Sequence, residues 1–124
     1  MKNLVIIPAF NEEENIEKTI ENLKAKTTLF DYIVINDCST DHTRQICERN
    51  HYPHINLPIN LGIGGAVQTG YLYAWEKGYD TAVQVDGDGQ HDPAFLETML
   101  NTLQREHASM VWPTLWWWAP IGGW

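Results

Sequence analysis

The sequence predicts an α/β fold, a parallel sheet covered by helices on both faces. Three observations carry this. Leu4-Val5-Ile6-Ile7 and Tyr32-Ile33-Val34-Ile35 are unbroken apolar runs rich in β-branched residues, as in strands buried on both sides. Stretches of helical periodicity separate the apolar runs, and that alternation builds parallel sheets. Clusters of carboxylates and amides follow the runs instead of preceding them, and the carboxyl ends of such strands are where ligands bind.

The first strand, Leu4 to Ile7, is expected to stop at Pro8. Asn11 then caps a helix, with Glu14 three residues on as its capping-box partner, and Ile16, Ile20 and Leu23 share one helical face. The second strand, Tyr32 to Ile35, leads into Asn36-Asp37-Cys38-Ser39-Thr40-Asp41, whose side chains are of the kind that bond backbone. A short helix through Ile46 and Cys47 follows. Ile55 and Leu57 mark a weaker third strand, placed near an edge by Pro53 and Pro58. The strongest helix carries Ile63, Ala66, Val67, Gly70, Tyr71 and Ala74 on one face and is stopped by Gly78. The fourth strand, Ala82 to Val85, runs into Asp86-Gly87-Asp88-Gly89-Gln90. Asp92-Pro93 caps a fourth helix with inner residues Leu96, Met99, Leu100 and Leu103, and Ser109 to Trp112 is a fifth strand.

A chain of 124 residues has the size of one domain, and 44% hydrophobic residues exclude a disordered one. With 16 Asp and Glu against 8 Lys and Arg, the net charge of -8 argues against a nucleic-acid partner, which needs a basic face. Cys38 and Cys47 lack zinc-site spacing and read as free thiols of a reducing compartment. The N-terminal apolar run is too short for a signal peptide, and no stretch reaches the ~18 apolar residues of a membrane span.

Three polar segments, 8–12, 36–41 and 86–90, should converge on one edge of the sheet. Carboxylates gathered there repel one another, so a cation is expected among them. An oxygen-only set suits Mg²⁺ or Mn²⁺. The Asp86-x-Asp88 spacing sets both side chains on one side of an extended segment, between glycines that admit a ligand closely. Each piece also has an ordinary reading. A lone DxD is often a solvated turn, Asn11 and Asp92 are caps before they are ligands, Asp41 is a cap or turn residue, and His91 is an exposed histidine. Gly62, Gly64 and Gly65 open the third helix, where N–H groups are able to meet phosphate. Val67 stands where GxGxxG needs its last glycine, and no GxxxxGK is present, which removes the dinucleotide and P-loop readings.

Taken together, Ile7-Pro8-Ala9-Phe10-Asn11-Glu12-Glu13, Ile35 to Asp41, Asn60 to Ala66 and Val85 to Pro93 resemble the family 2 glycosyltransferases, over roughly residues 3 to 112. The nearest likeness is to the dolichyl-phosphate mannose synthase-like branch and to bacterial enzymes of polysaccharide assembly. The resemblance implies a GT-A, Rossmann-like fold, here the donor-binding half over residues 1–112. It also implies inverting transfer of a sugar from a UDP- or GDP-linked donor. By the same resemblance, Pro8, Phe10 and Glu12 line the base and ribose pocket. Ile35 and Asp37 contact the base, Asp37 accepting from its ring N–H. Asp86 reaches the ribose or the metal, Asp88 is the catalytic metal ligand, and Gln90 is a third metal-side residue. The implied cofactor is Mg²⁺ or Mn²⁺, acting as a Lewis acid on the departing diphosphate. The implied acceptor is a lipid phosphate, a polysaccharide or a protein-linked glycan, and the implied location is the cytoplasm, at the inner face of the membrane where the acceptor is a lipid.

The departures from the family pattern begin after Trp112. Five of the six tryptophans lie from Trp112 onward, and Pro113-Thr114-Leu115-Trp116-Trp117-Trp118 replaces the usual Gly-Ser-Arg-like segment. Residues 113–124 therefore read as the atypical tail of a truncated chain, such as a shifted reading frame produces. The other reading is an aromatic patch for a membrane interface. The family's general base belongs to sequence beyond this chain, and His91 has no geometric claim to replace it. Two further functions compete: a non-catalytic domain that binds a nucleotide diphosphate and a metal, and a nucleotidyltransferase. The latter would want a glycine-rich loop after the first strand, which 8–12 does not supply.

Overall fold

The computed structural model describes residues 2–26, 30–86 and Thr98. Four parallel strands, β1 (Asn3–Ala9), β2 (Asp31–Asn36), β3 (His54–Asn56) and β4 (Thr81–Gln84), form one sheet in the order β3-β2-β1-β4. The helices are α1 (Ile16–Lys26), α2 (Thr43–Arg49) and α3 (Gly62–Glu76). Successive crossovers move outward from β1 to β3, and the β3–α3–β4 connection then returns to the far side of β1. A right-handed crossover running the opposite way must lay its helix on the opposite face. Accordingly α1 and α2 cover one face of the sheet and α3 the other.

β1 shows why its run has no polar alternation. Val5, Ile7 and Ala9 pack with Ile16, Ile20, Leu23 and Cys47 of α1 and α2. Leu4 and Ile6 pack with Ala66 and Ala74 of α3. Each of these β1 side chains is at most 1% exposed, and burial of an aliphatic side chain of this size stabilises by about 1.5–3 kcal/mol. Gly70 brings α3 close to the sheet, since a Cβ there would overlap Ile6 Cγ2.

The predicted inner faces of α1 and α3 are the observed ones, and β3 is an edge strand. Gly78 ends α3 as expected. At φ 74° its N–H donates to Trp75 O and the Tyr79 N–H donates to Ala74 O, the two bonds of a Schellman motif.

Two expectations need correction. β1 does not stop at Pro8 but runs through it to Ala9, with Pro8 in register with Ile35. Alternate residues of a strand face alternate neighbours: Ile6 O accepts from Val85 N–H on the β4 side, and Ala9 O accepts from Asp37 N–H on the β2 side. Pro8 therefore turns its missing N–H toward β4, whose pairing with β1 ends at Ile6 with Gln84, so no ladder bond is lost. Asn11 is not the cap of α1, which begins at Ile16 after a turn in which Glu12 O accepts from Asn15 and Ile16 N–H. The expected fifth strand and most of the fourth helix lie outside the described residues, as does the Trp-rich tail.

Candidate functional site at the carboxyl edge of the sheet

The strand order reverses between β1 and β4, and the carboxyl edge at such a reversal is the crevice where open α/β sheets bind ligands. Two polar loops meet there. From the loop after β1, the Asn11 N–H donates to Ser39 Oγ at 3.0 Å and the Glu12 N–H to Thr43 Oγ1 at 2.9 Å. The Glu13 N–H donates to Asp41 Oδ2 at 3.1 Å. In return, Asn11 Oδ1 accepts from the Thr40 N–H at 2.8 Å, the Thr40 hydroxyl at 3.2 Å and the Asp41 N–H at 3.3 Å. Glu13 also meets His42 Nδ1 at 2.8 Å.

The clamp continues along the edge. Ser39 donates its hydroxyl and its N–H to Asn36 Oδ1, and Asn36 Nδ2 donates to Asn56 Oδ1 at 2.8 Å, so side chains tie the ends of β2 and β3 together. Asp41 is the turn residue it was expected to be, accepting from the Thr43 N–H and hydroxyl. Burial raises its pKa, but the Thr43 hydroxyl and the Thr43 and Glu13 amides outweigh that and hold the carboxyl below its ordinary value.

Asp37 is fully buried, and its carboxylate faces the start of α3. Oδ1 accepts from the Leu61 N–H at 2.7 Å and Oδ2 from the Gly62 N–H at 2.9 Å. Gly62, at φ 79°, has the left-handed backbone that glycine adopts without strain. The Gly62 amide, the first of the three glycine amides that open α3, is therefore taken by an internal carboxylate and not left for a ligand phosphate.

Of the remaining candidates, Pro8 is buried in β1, and Ile35 is buried in the core on the α3 side. Phe10 and Glu12 are half-buried on the loop after β1. Asp86, half-buried, leaves the same edge one residue after Val85, whose N–H still donates to Ile6 O. The structure thus gathers Phe10, Glu12, Asp37 and Asp86 at one end of adjacent strands. Asp88, Gln90, His91 and Asp92 lie outside the described residues. Among the described residues no group of three or more His, Cys, Asp or Glu is placed to hold a metal ion. The interlocking role of Asn11, Ser39 and Thr43 was missed from sequence. The one local signal was Asn11 itself, a residue type that tolerates the left-handed backbone seen here (φ 55°).

A family model described as "Glycosyl transferase family 2" matches residues 4–118. An undecaprenyl-phosphate mannosyltransferase from Micrococcus luteus is 31% identical over 109 residues, covering 84% of this chain and 45% of that protein. A UDP-N-acetylglucosamine–dolichyl-phosphate N-acetylglucosaminyltransferase from Methanococcus voltae is 36% identical over 124 residues, covering 86% of this chain and 49% of that one. Among solved structures, S. aureus TarS (1–349) superposes with a TM-score of 0.71 at 27% identity, over 86% of this chain and 33% of that one. Glucosyl-3-phosphoglycerate synthase from Mycobacterium tuberculosis, in complex with Mn²⁺, UDP and glucosyl-3-phosphoglycerate, superposes with a TM-score of 0.66 at 26% identity. That match covers 82% of this chain and 39% of the other. The chain spans about half the length of the curated relatives it matches.

Proposed function

Because the chain belongs to glycosyl transferase family 2, we propose that it is the donor-binding half of an enzyme that moves a sugar, with inversion, from a nucleoside-diphosphate donor to a lipid-phosphate or glycan acceptor. The observation that carries this reading is the meeting of Phe10, Glu12, Asp37 and Asp86 at the β1/β4 reversal, with the loops after β1 and β2 held together by cross-loop hydrogen bonds. Solved relatives bound to UDP and to UDP with Mn²⁺, and a relative named for a dolichyl-phosphate acceptor, support the same reading.

In this assignment Pro8, Phe10 and Glu12 line the base and ribose pocket with Ile35, and Asp37 accepts from the base N–H. Asp86, Asp88 and Gln90 offer only oxygen donors, a chemistry suited to Mg²⁺ or Mn²⁺. Asp86 is the member of that set among the described residues, and its position at the crevice fits the group. When bound, the cation neutralises charge growing on the leaving diphosphate. In this reading residues 1–112 form the donor half, and 113–124 are an atypical tail by composition. No helix among the described residues is long and apolar enough to cross a membrane. The reading places the chain in the cytoplasm, peripheral to the membrane where a lipid-phosphate acceptor is used.

Calorimetric titration of the purified chain with UDP and with GDP, each with and without Mn²⁺, tests this. Metal-dependent binding of one nucleotide is expected and names the base. A cooperatively melting chain that binds neither would overturn the donor-half reading.

A further inference from the structure

Asn11 sits between Phe10 and Glu12 in a left-handed backbone conformation, φ 55°. Its side-chain oxygen receives three donors from Thr40 and Asp41, residues 29 and 30 positions away, while its own N–H donates to Ser39 Oγ. The loop so captured begins at Asp37, whose carboxylate is anchored on the far side by Leu61 and Gly62. One amide side chain therefore spans the two loops at their exposed edge, beside the part-buried bond from the Glu12 N–H to Thr43 Oγ1. The captured groups are exposed to water, so losing these bonds costs folding little; the Glu12–Thr43 and Glu13–Asp41 bonds still join the loops, and only the local spacing at Thr40 and Asp41 relaxes.

We propose that Asn11 is a positioning residue for donor recognition: its Oδ1 holds Thr40 and Asp41, and so sets the spacing between the Phe10–Glu12 segment and Asp37 that shapes the pocket for the nucleoside part of the donor. It acts through these neighbours without touching the donor. This rests on the donor-binding reading above. Asn11→Gly keeps the left-handed backbone and removes the acceptor. Asn11→Asp keeps an acceptor and tolerates the same backbone, and its charge suits three converging donors.

The informative readout is a ratio, the affinity for whichever of UDP or GDP the parent binds over the affinity for inorganic pyrophosphate, both with Mn²⁺. Asn11→Gly should lower that ratio about tenfold, the loss of roughly one net hydrogen bond's worth of alignment, with melting nearly unchanged. Asn11→Asp should keep the ratio within about threefold of the parent. A general structural defect would weaken nucleotide and pyrophosphate together and leave the ratio alone, and that result overturns the proposal. Should Asn11→Gly lose cooperative melting, Thr40→Val deletes the hydroxyl that donates to Asn11 Oδ1, and its ratio should fall by about threefold. An unchanged ratio in Thr40→Val would overturn the proposal equally. A parent chain that binds neither nucleotide removes the donor-binding reading itself, and this inference with it.

Discussion

The Asp37 carboxylate meets the Gly62 amide at 2.9 Å and the neighbouring Leu61 amide at 2.7 Å, so the loop leaving β2 is the N-terminal cap of α3. The interaction is charge-assisted, buried and aligned with the helix dipole, which makes it stronger than an ordinary exposed cap. It also joins the carboxyl edge of the sheet to the helix that crosses beneath it.

Asp37→Ala should destabilise the chain by about 2–3 kcal/mol, since a buried amide (Gly62) and a part-buried one (Leu61) lose a charged acceptor. Asp37→Asn keeps one oxygen and should lose about half of that. Urea denaturation compared at constant m-value measures both. A loss below about 0.5 kcal/mol for the alanine variant would mean that water replaces the cap.

Gly70 and Gly78 should fail for different reasons. Gly70→Ala forces α3 away from Ile6, a net loss of about 1–2 kcal/mol after alanine's better helix propensity is credited. Combining it with Ile6→Ala, which removes the Cγ2 and Cγ1 atoms that the new Cβ would overlap, should cost less than the two single changes added together, a coupling visible in a double-mutant cycle. Gly78→Ala meets nothing within 4 Å, so only its left-handed backbone opposes it, by about 1 kcal/mol, and it should show no coupling to Ile6→Ala.

The two thiols should differ in reactivity. Cys47 is fully buried, and its burial, with a smaller contribution from the Glu48 charge, pushes its pKa up to about 11. Cys38 is partly exposed. A thiol reagent should label Cys38 in the folded chain and Cys47 only on unfolding. Because the folded thiol stays neutral while an unfolded one ionises from about pH 8.5, Cys47 supports stability below that pH and loses the contribution as pH rises toward 11. Cys47→Ala should flatten that part of the stability profile.

Asp41 acts at the acid end. Its folded carboxyl lies below the ordinary value despite burial, so its contribution is present above about pH 3.9 and is lost as pH falls beneath that. Asp41→Asn should remove this share of the acid dependence, read as a smaller difference in melting temperature between neutral and acidic buffer.

At the metal side, Asp88→Ala should abolish Mn²⁺-dependent nucleotide binding. Asp92→Ala should chiefly cost stability, about 1 kcal/mol from a lost cap. Equal loss of binding in both, without a change in melting, would count against the two roles.

The positions of the four described strands, the buried faces of α1 and α3, and the gathering of polar loops at one edge were all legible, because period-2 and period-3.6 patterns are local. Ile16, Ile20 and Leu23 are buried where the helical spacing puts them, and Gly78 stops α3 where a left-handed residue is needed. The partners of the loop side chains were not legible. Asn11 looks like a cap from its neighbours, since a helix follows it, yet its acceptor is filled by residues 29 and 30 positions on. Asp37 looks like a ligand residue, and nothing near it in the chain shows that its oxygens also serve amides 24 and 25 positions away.

By itself the sequence determined the alternation of strands and helices, the side of each element that faces the core, and the chemistry at the sheet's carboxyl edge. Side-chain size and polarity repeat with the period of the backbone, and that is enough. Only the tertiary structure decided that β1 continues through Pro8, that Asp37 caps α3, and that Asn11 binds the next loop. Each depends on which segment lies alongside. The short pairing of β4 leaves Pro8 no ladder bond to lose, and the order β3-β2-β1-β4 brings the loops after β1 and β2 within hydrogen-bond reach.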